Sequence, residues 1–215
     1  MRTIRSFIVG VLSTFALVGV ARGQVIAYEG MWFNDTFGSQ GGVYFVGTQD
    51  GSDVSMYVDI DGNAFGGTDP DPITVVGTID GTGDLVLSGS NPPLYDSISG
   101  TITAGGVITV DLAGAGGFFP LVEVRGTLTA DDMNATYTIY TSGPGGLAVF
   151  AEGRMEATRV CLADIDGNGV LNLDDILLYA DAFVSGGDAA DMNKDGVLNL
   201  DDIITFAGSF TGGCP

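Results

Sequence analysis

Oxygen-bearing side chains recur at fixed intervals near the C-terminus of this 215-residue chain. The first set occupies positions 1, 3, 5, 9 and 12 of a twelve-residue segment, and glycine stands at position 6. Carboxylate and amide oxygens are ligands that Ca²⁺ prefers, and the EF-hand loop uses this spacing with a backbone carbonyl at position 7. The predicted calcium ligands of this first loop are Asp164, Asp166, Asn168, Val170 through its carbonyl, Asn172 and Asp175.

The same pattern returns 27 residues later in the chain. Twelve residues are identical across the 23 aligned positions 164–186 and 191–213, so a chance Asp-Gly turn is a poor explanation for either copy. The sequence therefore predicts a duplicated metal site that holds two Ca²⁺ ions. The predicted ligands of the second loop are Asp191, Asn193, Asp195, Val197 through its carbonyl, Asn199 and Asp202.

An amphipathic stretch follows each loop and predicts short helices over 173–183 and 200–210. In both stretches apolar residues fall at i, i+1, i+4 and i+7, and we expect each helix to bury this stripe against the other helix. No helical pattern precedes the first loop, whereas a complete EF-hand has a helix on both sides of its loop. The stripe residues are Ile176, Leu177, Ala180 and Phe183, and their equivalents Ile203, Ile204, Ala207 and Phe210.

Tandem calcium loops that are each followed, but not preceded, by a helix resemble the dockerin module. The resemblance covers residues 164–215 and includes the paired Asn172 and Asn199, and Asp rather than the usual Glu at position 12 of each loop. It implies a calcium-dependent fold that docks onto a cohesin-like partner, an arrangement used in extracellular polysaccharide breakdown. The duplication also resembles the family feature that lets either helix face the partner.

The same resemblance points to loop positions 10 and 11 as residues that recognise the partner. Many dockerins have small hydroxyl residues at these positions, and this chain has a Leu-Asp pair in both loops. The alternative interpretation is a calcium-stabilised C-terminal structure that has no partner. The candidate recognition residues are Leu173, Asp174, Leu200 and Asp201.

Two cysteines, Cys161 and Cys214, bracket the duplicated segment and are the only cysteines of the chain. In an exported protein, an even number of cysteines indicates a disulfide. A module of residues 161–215 is too small to rely on a hydrophobic core alone. A disulfide that closes a loop of this length would stabilise it by roughly 4 kcal/mol.

The first 23 residues have the pattern of a signal peptide. Arg2 and Arg5 give a basic start, residues 7–20 are apolar, and Ala21 and Gly23 are the small residues before a predicted cleavage at Gln24. The alternative is a membrane anchor, but the apolar run is shorter than the roughly 20 residues that a spanning helix needs. We therefore expect a secreted or cell-surface protein with no membrane segment after cleavage.

The net charge of the chain is strongly negative. It is −20 for the full sequence, and loss of residues 1–23 would remove three arginines and no acid, which leaves −23. A chain this acidic repels nucleic acid and anionic lipid. Part of the charge belongs to the predicted metal ligands, and bound Ca²⁺ would neutralise it.

Residues 24–160 are predicted to form an all-β domain. About nine short segments rich in Val, Ile, Thr and Tyr alternate between apolar and polar residues, and Gly, Asn and Asp turns separate them. We expect an antiparallel sandwich or an up-and-down barrel, followed by the small α-helical calcium-binding dockerin-like module at 161–215. The segments are 43–47, 54–60, 73–79, 84–88, 97–103, 107–112, 121–128, 135–140 and 147–158.

The chemistry of the β-domain is less constrained by its residues. The chain has no His, which excludes Ser-His-Asp and Cys-His catalysis and His-ligated zinc. We expect a non-catalytic domain for binding or scaffolding. The alternative is a small polysaccharide-acting hydrolase that uses paired carboxylates. The candidate acids are Glu29, Asp35, Glu123, Glu152 and Glu156.

Aromatic residues near the start of the β-domain allow two interpretations. They form a platform that stacks on sugar rings of a polysaccharide, or they fill the core where the first strands meet, and the second is favoured. The residues are Tyr28, Trp32, Phe33, Phe37, Tyr44 and Phe45.

Overall fold

The structure is a computed structural model that describes residues 24–62, 69–91, 95–114 and 119–213. The predicted signal peptide and Cys214 lie outside these residues. The strands are β1 (Gln24–Asn34), β2 (Gln40–Asp50), β3 (Asp53–Ile60), β4 (Ile73–Ile79), β5 (Leu85–Asn91), β6 (Tyr95–Ile102), β7 (Val107–Ala113), β8 (Leu121–Leu128), β9 (Asp132–Gly143) and β10 (Gly146–Val160). The helices are α1 (Leu173–Ser185) and α2 (Leu200–Gly212), with a 3₁₀ turn at Asp188–Ala190 between them.

The ten strands form a closed up-and-down barrel. Each strand pairs antiparallel with its neighbours in sequence, and β1 also pairs with β10 over Ala27–Asn34 and Gly153–Val160. Closure removes the exposed edges that an open sheet would present. The prediction of an antiparallel β-domain is thus confirmed, in its barrel form rather than as a sandwich.

The strand that sequence patterning missed is β1, so the predicted nine become ten. It was missed because its apolar residues do not alternate, which is the signal used to recognise a half-buried strand. Ile26 and Tyr28 point into the barrel, while Val25 and Ala27 on the other face are also buried, at 8% and 1% exposure. A strand that is covered on both faces shows no period-two pattern.

The C-terminal segment covers that outer face of the barrel. Helix α2 packs against β1, and the outward side chains of Val25, Ala27 and Val46 form a small cluster with Val160 and Leu162. The backbone N–H of Ala163 donates a 3.1 Å hydrogen bond to the hydroxyl of Ser209 on α2. The end of β10 and helix α2 are therefore fixed to the same patch of the barrel wall.

Both predicted helices are confirmed, and each extends two residues beyond its predicted end. The predicted buried stripe is wrong for all but its two phenylalanines. Ile176 and Leu177 are 40% and 58% exposed, Ile203 and Ile204 are 41% and 45% exposed, and Ala180 and Ala207 are exposed as well. The helices instead meet through Tyr179 and Phe206, whose rings stack 4.0 Å apart and within 7° of parallel. The buried face is rotated toward Tyr179 because the carboxylate of Asp175, one turn earlier, is drawn into the loop and fixes the helix orientation.

Phe183 and Phe210, the last residues of the two predicted stripes, lie at the two ends of the contact between Tyr179 and Phe206. Phe183 packs on Tyr179 at 6.0 Å between ring centroids, and Phe210 packs on Phe206 at 5.8 Å. Four rings thus form a row that relates the two repeats by an approximate twofold. Among the described residues, no helix is long and apolar enough to cross a membrane.

Candidate calcium sites and the exposed helix face

The first loop brings three carboxylates together. One oxygen from each of Asp164, Asp166 and Asp175 lies within 4.8 Å of the others. Asp164 accepts hydrogen bonds from the backbone N–H groups of Asn168, at 3.1 Å, and Gly169, at 2.8 Å. These bonds curl the loop around the carboxylates, so residues eleven positions apart in sequence converge on one point.

Asp175 is the most enclosed of these acids. Its residue is fully buried, and its two oxygens accept hydrogen bonds from the backbone N–H groups of Ile165 and Asn172, both at 2.9 Å. The bond from Asn172 is the main cause that lowers the pKa of Asp175, while burial acts in the opposite direction. Asp175 is therefore ionised at neutral pH and ready to bind a cation.

The second loop repeats these contacts one by one. Asp191 accepts from the backbone N–H groups of Asp195, at 3.2 Å, and Gly196, at 2.9 Å. Asp202 is also fully buried, and it accepts from the N–H groups of Met192, at 2.8 Å, and Asn199, at 2.9 Å. The two loops thus share one hydrogen-bond pattern.

Two of the predicted ligand positions differ between the loops. Position 3 is Asp166 in the first loop and Asn193 in the second, so an amide oxygen replaces a carboxylate there. At position 5 the exchange is reversed, from Asn168 to Asp195, which leaves each loop with three carboxylates. Among the described residues, the tight cluster of three acids occurs only in the first loop.

Several of these residues also begin the helices. Asn172 is the N-cap of α1 and accepts from the N–H of Asp174 at 2.7 Å, and Asn199 caps α2 through the N–H of Asp201 at 2.6 Å. Asp175 and Asp202 complete capping boxes by binding back to the N-cap backbone. Positions 9 and 12 therefore have a structural role whether or not a metal binds.

Both loops need left-handed backbone at two positions. Gly169 and Gly196 at position 6 have φ of 79°, which favours glycine because it lacks a Cβ. At position 4 the first loop has Gly167 with φ of 69°, and the second has Lys194 with φ of 60°. Lys194 is the one non-glycine residue with positive φ among the described parts of the chain.

The donor set fits Ca²⁺. Within the described residues, no Lys or Arg side chain forms an ion pair with a loop carboxylate, so each group of acids lacks a protein cation. Lys194, the one lysine of the module, instead donates to the carbonyl of Asp188 at 3.4 Å. The predicted ligands are carboxylate, amide and backbone oxygens, which a hard cation prefers over a soft one.

Position 7 is the predicted source of a backbone oxygen ligand in both loops. The carbonyls of Val170 and Val197 accept from the side-chain amides of Asn172 and Asn199, at 3.1 and 3.0 Å. The residues at positions 7 and 9 are therefore adjacent in each loop, as one ion shared between them would require.

The structure describes one of the two cysteines of the predicted disulfide. Cys161 is disulfide-bonded. Its predicted partner Cys214 lies outside the described residues, so the pairing of these two cysteines remains the prediction.

The candidate recognition residues at positions 10 and 11 are all exposed. Leu173 and Leu200 are 63% and 66% exposed, and Asp174 and Asp201 are exposed beside them. On α1 the apolar surface continues along the helix through further exposed side chains. The extended surface consists of Leu173, Ile176, Leu177 and Val184, and we call it the α1 face.

Sequence patterning missed this face because it assigned Ile176 and Leu177 to the buried stripe. The spacing i, i+3, i+4 and i+11 is the usual signal of a helix face that packs against something. Such a pattern does not say whether the neighbour belongs to the same chain. Contiguous exposed apolar residues of this kind mark interaction surfaces.

Four of the candidate hydrolase acids lie on strands of the barrel, and Asp35 lies in the turn after β1. Asp35 and Glu156 both contact Arg154, and Glu123 binds Arg125 at 3.3 Å. Glu123 also accepts from the hydroxyl of Tyr140 at 2.9 Å, which is the main cause that raises the pKa of Tyr140. The remaining candidates, Glu29 and Glu152, are exposed.

The hydrolase alternative remains a prediction. Arginine neutralises three of the five, and none of the five lines the barrel interior or the groove between the barrel and α2.

The aromatic residues near the start of the barrel are mainly core. Trp32 is 1% exposed and donates through its indole N–H to the carbonyl of Asp61 at 2.8 Å, and Tyr28 is 5% exposed. Phe45 packs against the same core, and Tyr44 packs against the outer cluster beneath the C-terminal segment. The platform interpretation is therefore wrong for Trp32 and Tyr28, because both rings face the barrel interior.

Two of the aromatic residues remain near the surface. Phe37 is 61% exposed and packs on Phe150 at 5.3 Å between centroids. The guanidinium of Arg154 lies 4.2 Å from the centroid of the Phe33 ring. These two residues do not form one flat surface with the buried rings.

Comparison with known proteins gives a distant structural likeness and no sequence match. No protein-family model and no curated protein matches the chain. Among solved structures, the crystal structure of a rhizavidin–biotin complex overlaps with 61% of this chain and 92% of that chain, at 16% sequence identity and a TM-score of 0.29.

Proposed function

We propose that this chain is an exported calcium-binding protein whose C-terminal module docks onto a cohesin-like partner. In this proposal the barrel is a non-catalytic domain for binding or scaffolding. The observation that carries the proposal is the pair of loops with matching hydrogen bonds, the first of which brings three carboxylates within 4.8 Å of one another. Among the described residues, no Lys or Arg forms an ion pair with the carboxylates of either loop.

Residues from both ends of each loop would bind the same calcium ion. Bound Ca²⁺ would supply positive charge that offsets the repulsion between the acids of each loop. Asp164 and Asp175 come from opposite ends of the first loop, so one ion would tie the start of the loop to the first turn of α1. Asp191 and Asp202 would do the same for α2. The expected consequence is a module whose helix orientation depends on calcium.

Docking would follow from this orientation through the α1 face. Leu173 lies immediately after the N-cap Asn172, so the loop that holds calcium also sets the direction of the first exposed leucine. Val184 at the other end of the face is 87% exposed. An apolar row about three turns long gives a partner a continuous surface to bury, which is how a helix is recognised in a protein groove.

The two helices are not equally available for docking. Thr205 on α2 is 4% exposed and Ser209 is 9% exposed because α2 lies against the barrel wall. The residue of α1 that corresponds to Thr205 is Leu178, which is 44% exposed. We therefore propose docking through α1, whereas the dockerin resemblance alone implies that either helix would serve.

The chemistry suits a setting outside the cell. Millimolar calcium and an oxidising environment favour loop ligation and the disulfide of Cys161. The predicted signal peptide over 1–23 is the route to that setting. The strong negative charge is compatible with calcium binding, since each ion removes two negative charges.

A pull-down tests the proposal directly. Residues 24–215 are immobilised and exposed to cohesin-type modules and secreted proteins of the source organism, once in millimolar Ca²⁺ and once with EGTA. We expect a cohesin-type module to be retained in calcium and released by EGTA. A matched control carries Asp175→Asn and Asp202→Asn, and it should retain nothing.

Two outcomes would overturn parts of this proposal. Calcium binding without retention of any cohesin-type module would reduce the C-terminal segment to a calcium-stabilised structure without a partner. Retention that is insensitive to EGTA and to the two substitutions would mean that docking does not depend on calcium binding by the loops.

A further inference from the structure

The barrel interior is solid at one end and hollow at the other. The solid end is packed around Trp32, Tyr95 and Ile139, which are 1%, 5% and 1% exposed. A cavity of about 250 Å³ occupies the other end, beside the turns that join β2 to β3 and β6 to β7. Gln49, Thr103 and Gly106 lie around its opening at that end.

The hollow follows from the strand number. Eight strands give a barrel whose interior side chains can just fill, and the diameter grows with each added strand. Ten strands therefore need larger inward side chains to close the lumen. This chain places small ones there, including Gly47, Ala104 and Ala135. Space remains because these residues do not reach the barrel axis.

The lining is apolar and uncharged. Val, Ile, Leu and Met side chains provide most of it, and no Asp, Glu, Lys or Arg of the described residues lines the cavity. Its two long polar neighbours are Tyr28 and Gln49, and both are already hydrogen-bonded, to the carbonyls of Thr129 and Gly51 at 2.8 Å each. Water that entered would find few partners, and apolar cavities of about 150 Å³ in other proteins stay dry and bind benzene.

We propose that the open half of the barrel is a binding site for a neutral, apolar small molecule of about ten non-hydrogen atoms. The apolar part would lie between β3, β5 and β7, against Met56, Leu87 and Ile108. A hydroxyl or carbonyl end would lie at the opening near Thr103. A charged end is excluded because the lining offers no opposite charge to replace its hydration. This site is independent of the calcium loops and of docking.

Gly47 supplies a variant that closes the site. It lies on the inward face of β2, and a Cβ placed there would meet only the carbonyl oxygen of Ile26, at an ordinary 3.7 Å. Its φ is outside the positive region, so a side chain is not strained. Gly47→Leu would therefore extend into the cavity and fill part of it. Thr127→Leu adds similar apolar volume on the exposed outer face of β8 and is the matched control.

The methionines of the chain report the location of binding. Met56, Met133 and Met155 line the cavity, whereas Met31 lies on the outer face of β1 and Met192 in the core of the C-terminal module. Residues 24–215 labelled at the methionine methyl groups are titrated with n-decanol, followed by NMR. The charged probe n-decanoate is titrated in parallel, with each alkyl probe kept below its aggregation concentration.

We expect n-decanol to shift the three cavity methyl signals in a saturable one-to-one manner and to leave Met31 and Met192 unchanged. Gly47→Leu and the use of decanoate should each weaken binding at least about tenfold, and Thr127→Leu should have no effect. No shift at the solubility limit of decanol would overturn the proposal. Equal shifts at all five methionines, or equal affinity for decanoate, would overturn it as well. The wild-type titration decides the question even if Gly47→Leu does not fold.

Discussion

The two halves of the C-terminal module have the same loops but different neighbours. Asp164 and Asp191 accept the same backbone hydrogen bonds, and Tyr179 stacks on its counterpart Phe206. Both helices expose apolar side chains beyond this shared centre, but Thr205 and Ser209 of α2 are buried, whereas Leu178 of α1 is exposed. The predicted calcium ligands are therefore duplicated, while the surface available to a partner is smaller on α2, where Thr205 and Ser209 are buried.

Differences between the helix sequences follow this division. Where α1 has Leu178 and Asp181, α2 has Thr205 and Gly208. Smaller residues let α2 approach the wall of β1, while the loop positions stay nearly unchanged. The lesson is that the duplication preserves the loop residues and their hydrogen bonds, while the residues around each loop decide what that copy contacts.

The largest expected effect concerns docking. Leu173→Asp with Leu177→Asp places two charges in the α1 face and should weaken binding of the cohesin-type partner at least about 100-fold, since burying an unpaired charge is costly. The matched pair Leu200→Asp with Ile204→Asp on α2 should weaken it by less than about fivefold. Surface plasmon resonance in calcium measures both.

Equal losses in the two double variants would mean that either helix docks. In that case packing against the barrel would not prevent α2 from docking, and the proposed difference between α1 and α2 would be wrong.

A reciprocal exchange tests the packing of α2 on the barrel. Thr205→Leu gives α2 the side chain that α1 has, and it should destabilise the chain by about 1–3 kcal/mol because a larger side chain at this buried position must displace its neighbours. Leu178→Thr on the exposed helix should change stability by less than about 0.5 kcal/mol. Chemical denaturation in saturating calcium measures both. Similar values for the two exchanges would contradict the asymmetry.

Lys194 provides a smaller test of the loops themselves. Its left-handed backbone at position 4 is one that Gly167 adopts without a Cβ in the first loop. We expect Lys194→Gly to stabilise the second loop by roughly 0.5–1 kcal/mol, and Gly167→Lys to destabilise the first loop by a similar amount. Thermal unfolding in calcium compares the two variants. A loss of stability in Lys194→Gly would show that the lysine side chain matters more than its backbone.

The smallest expected effect is a change in the pKa of one tyrosine. Burial raises the pKa of Tyr57 on β3 to about 12, and the negative charges of Asp59 and Asp191 add to this shift. Because the folded pKa exceeds the unfolded value of about 10, the contribution to stability is full below pH 10 and is lost as pH rises toward 12. Absorbance at 295 nm, with Tyr57→Phe as reference, reports the ionisation.

This titration also distinguishes the two loops. Asp191 belongs to the loop beside the barrel, so Asp191→Asn should lower the pKa of Tyr57, whereas Asp164→Asn should not. A matching shift with both variants would place the first loop equally close to the barrel.

Features set by local spacing were predictable from the sequence. The loop residues 164–175 and 191–202 and the starts of both helices are local patterns, and the structure places them as expected. Whether the loops bind calcium remains a prediction. Nine of the ten strands were recognised for the same reason, because alternation is visible within each segment.

Features set by distant contacts were not predictable. Barrel closure depends on the pairing of β1 with β10, which lie at opposite ends of the domain sequence. Apolar and polar residues do not alternate along β1, because the C-terminal segment covers its outer face. The exposure of Leu177 depends on which face Tyr179 occupies, which spacing alone left open. The cavity is a further case, because its size depends on how ten strands close and not on any one segment.

The most direct test of the account is a calcium titration of residues 24–215 by isothermal calorimetry. We expect two ions per chain, one ion after either Asp175→Asn or Asp202→Asn, and none after both. Circular dichroism should show loss of helix on chelation in the wild-type chain. Binding of no calcium, or the same two ions in the double variant, would contradict the assignment of the loops as calcium sites.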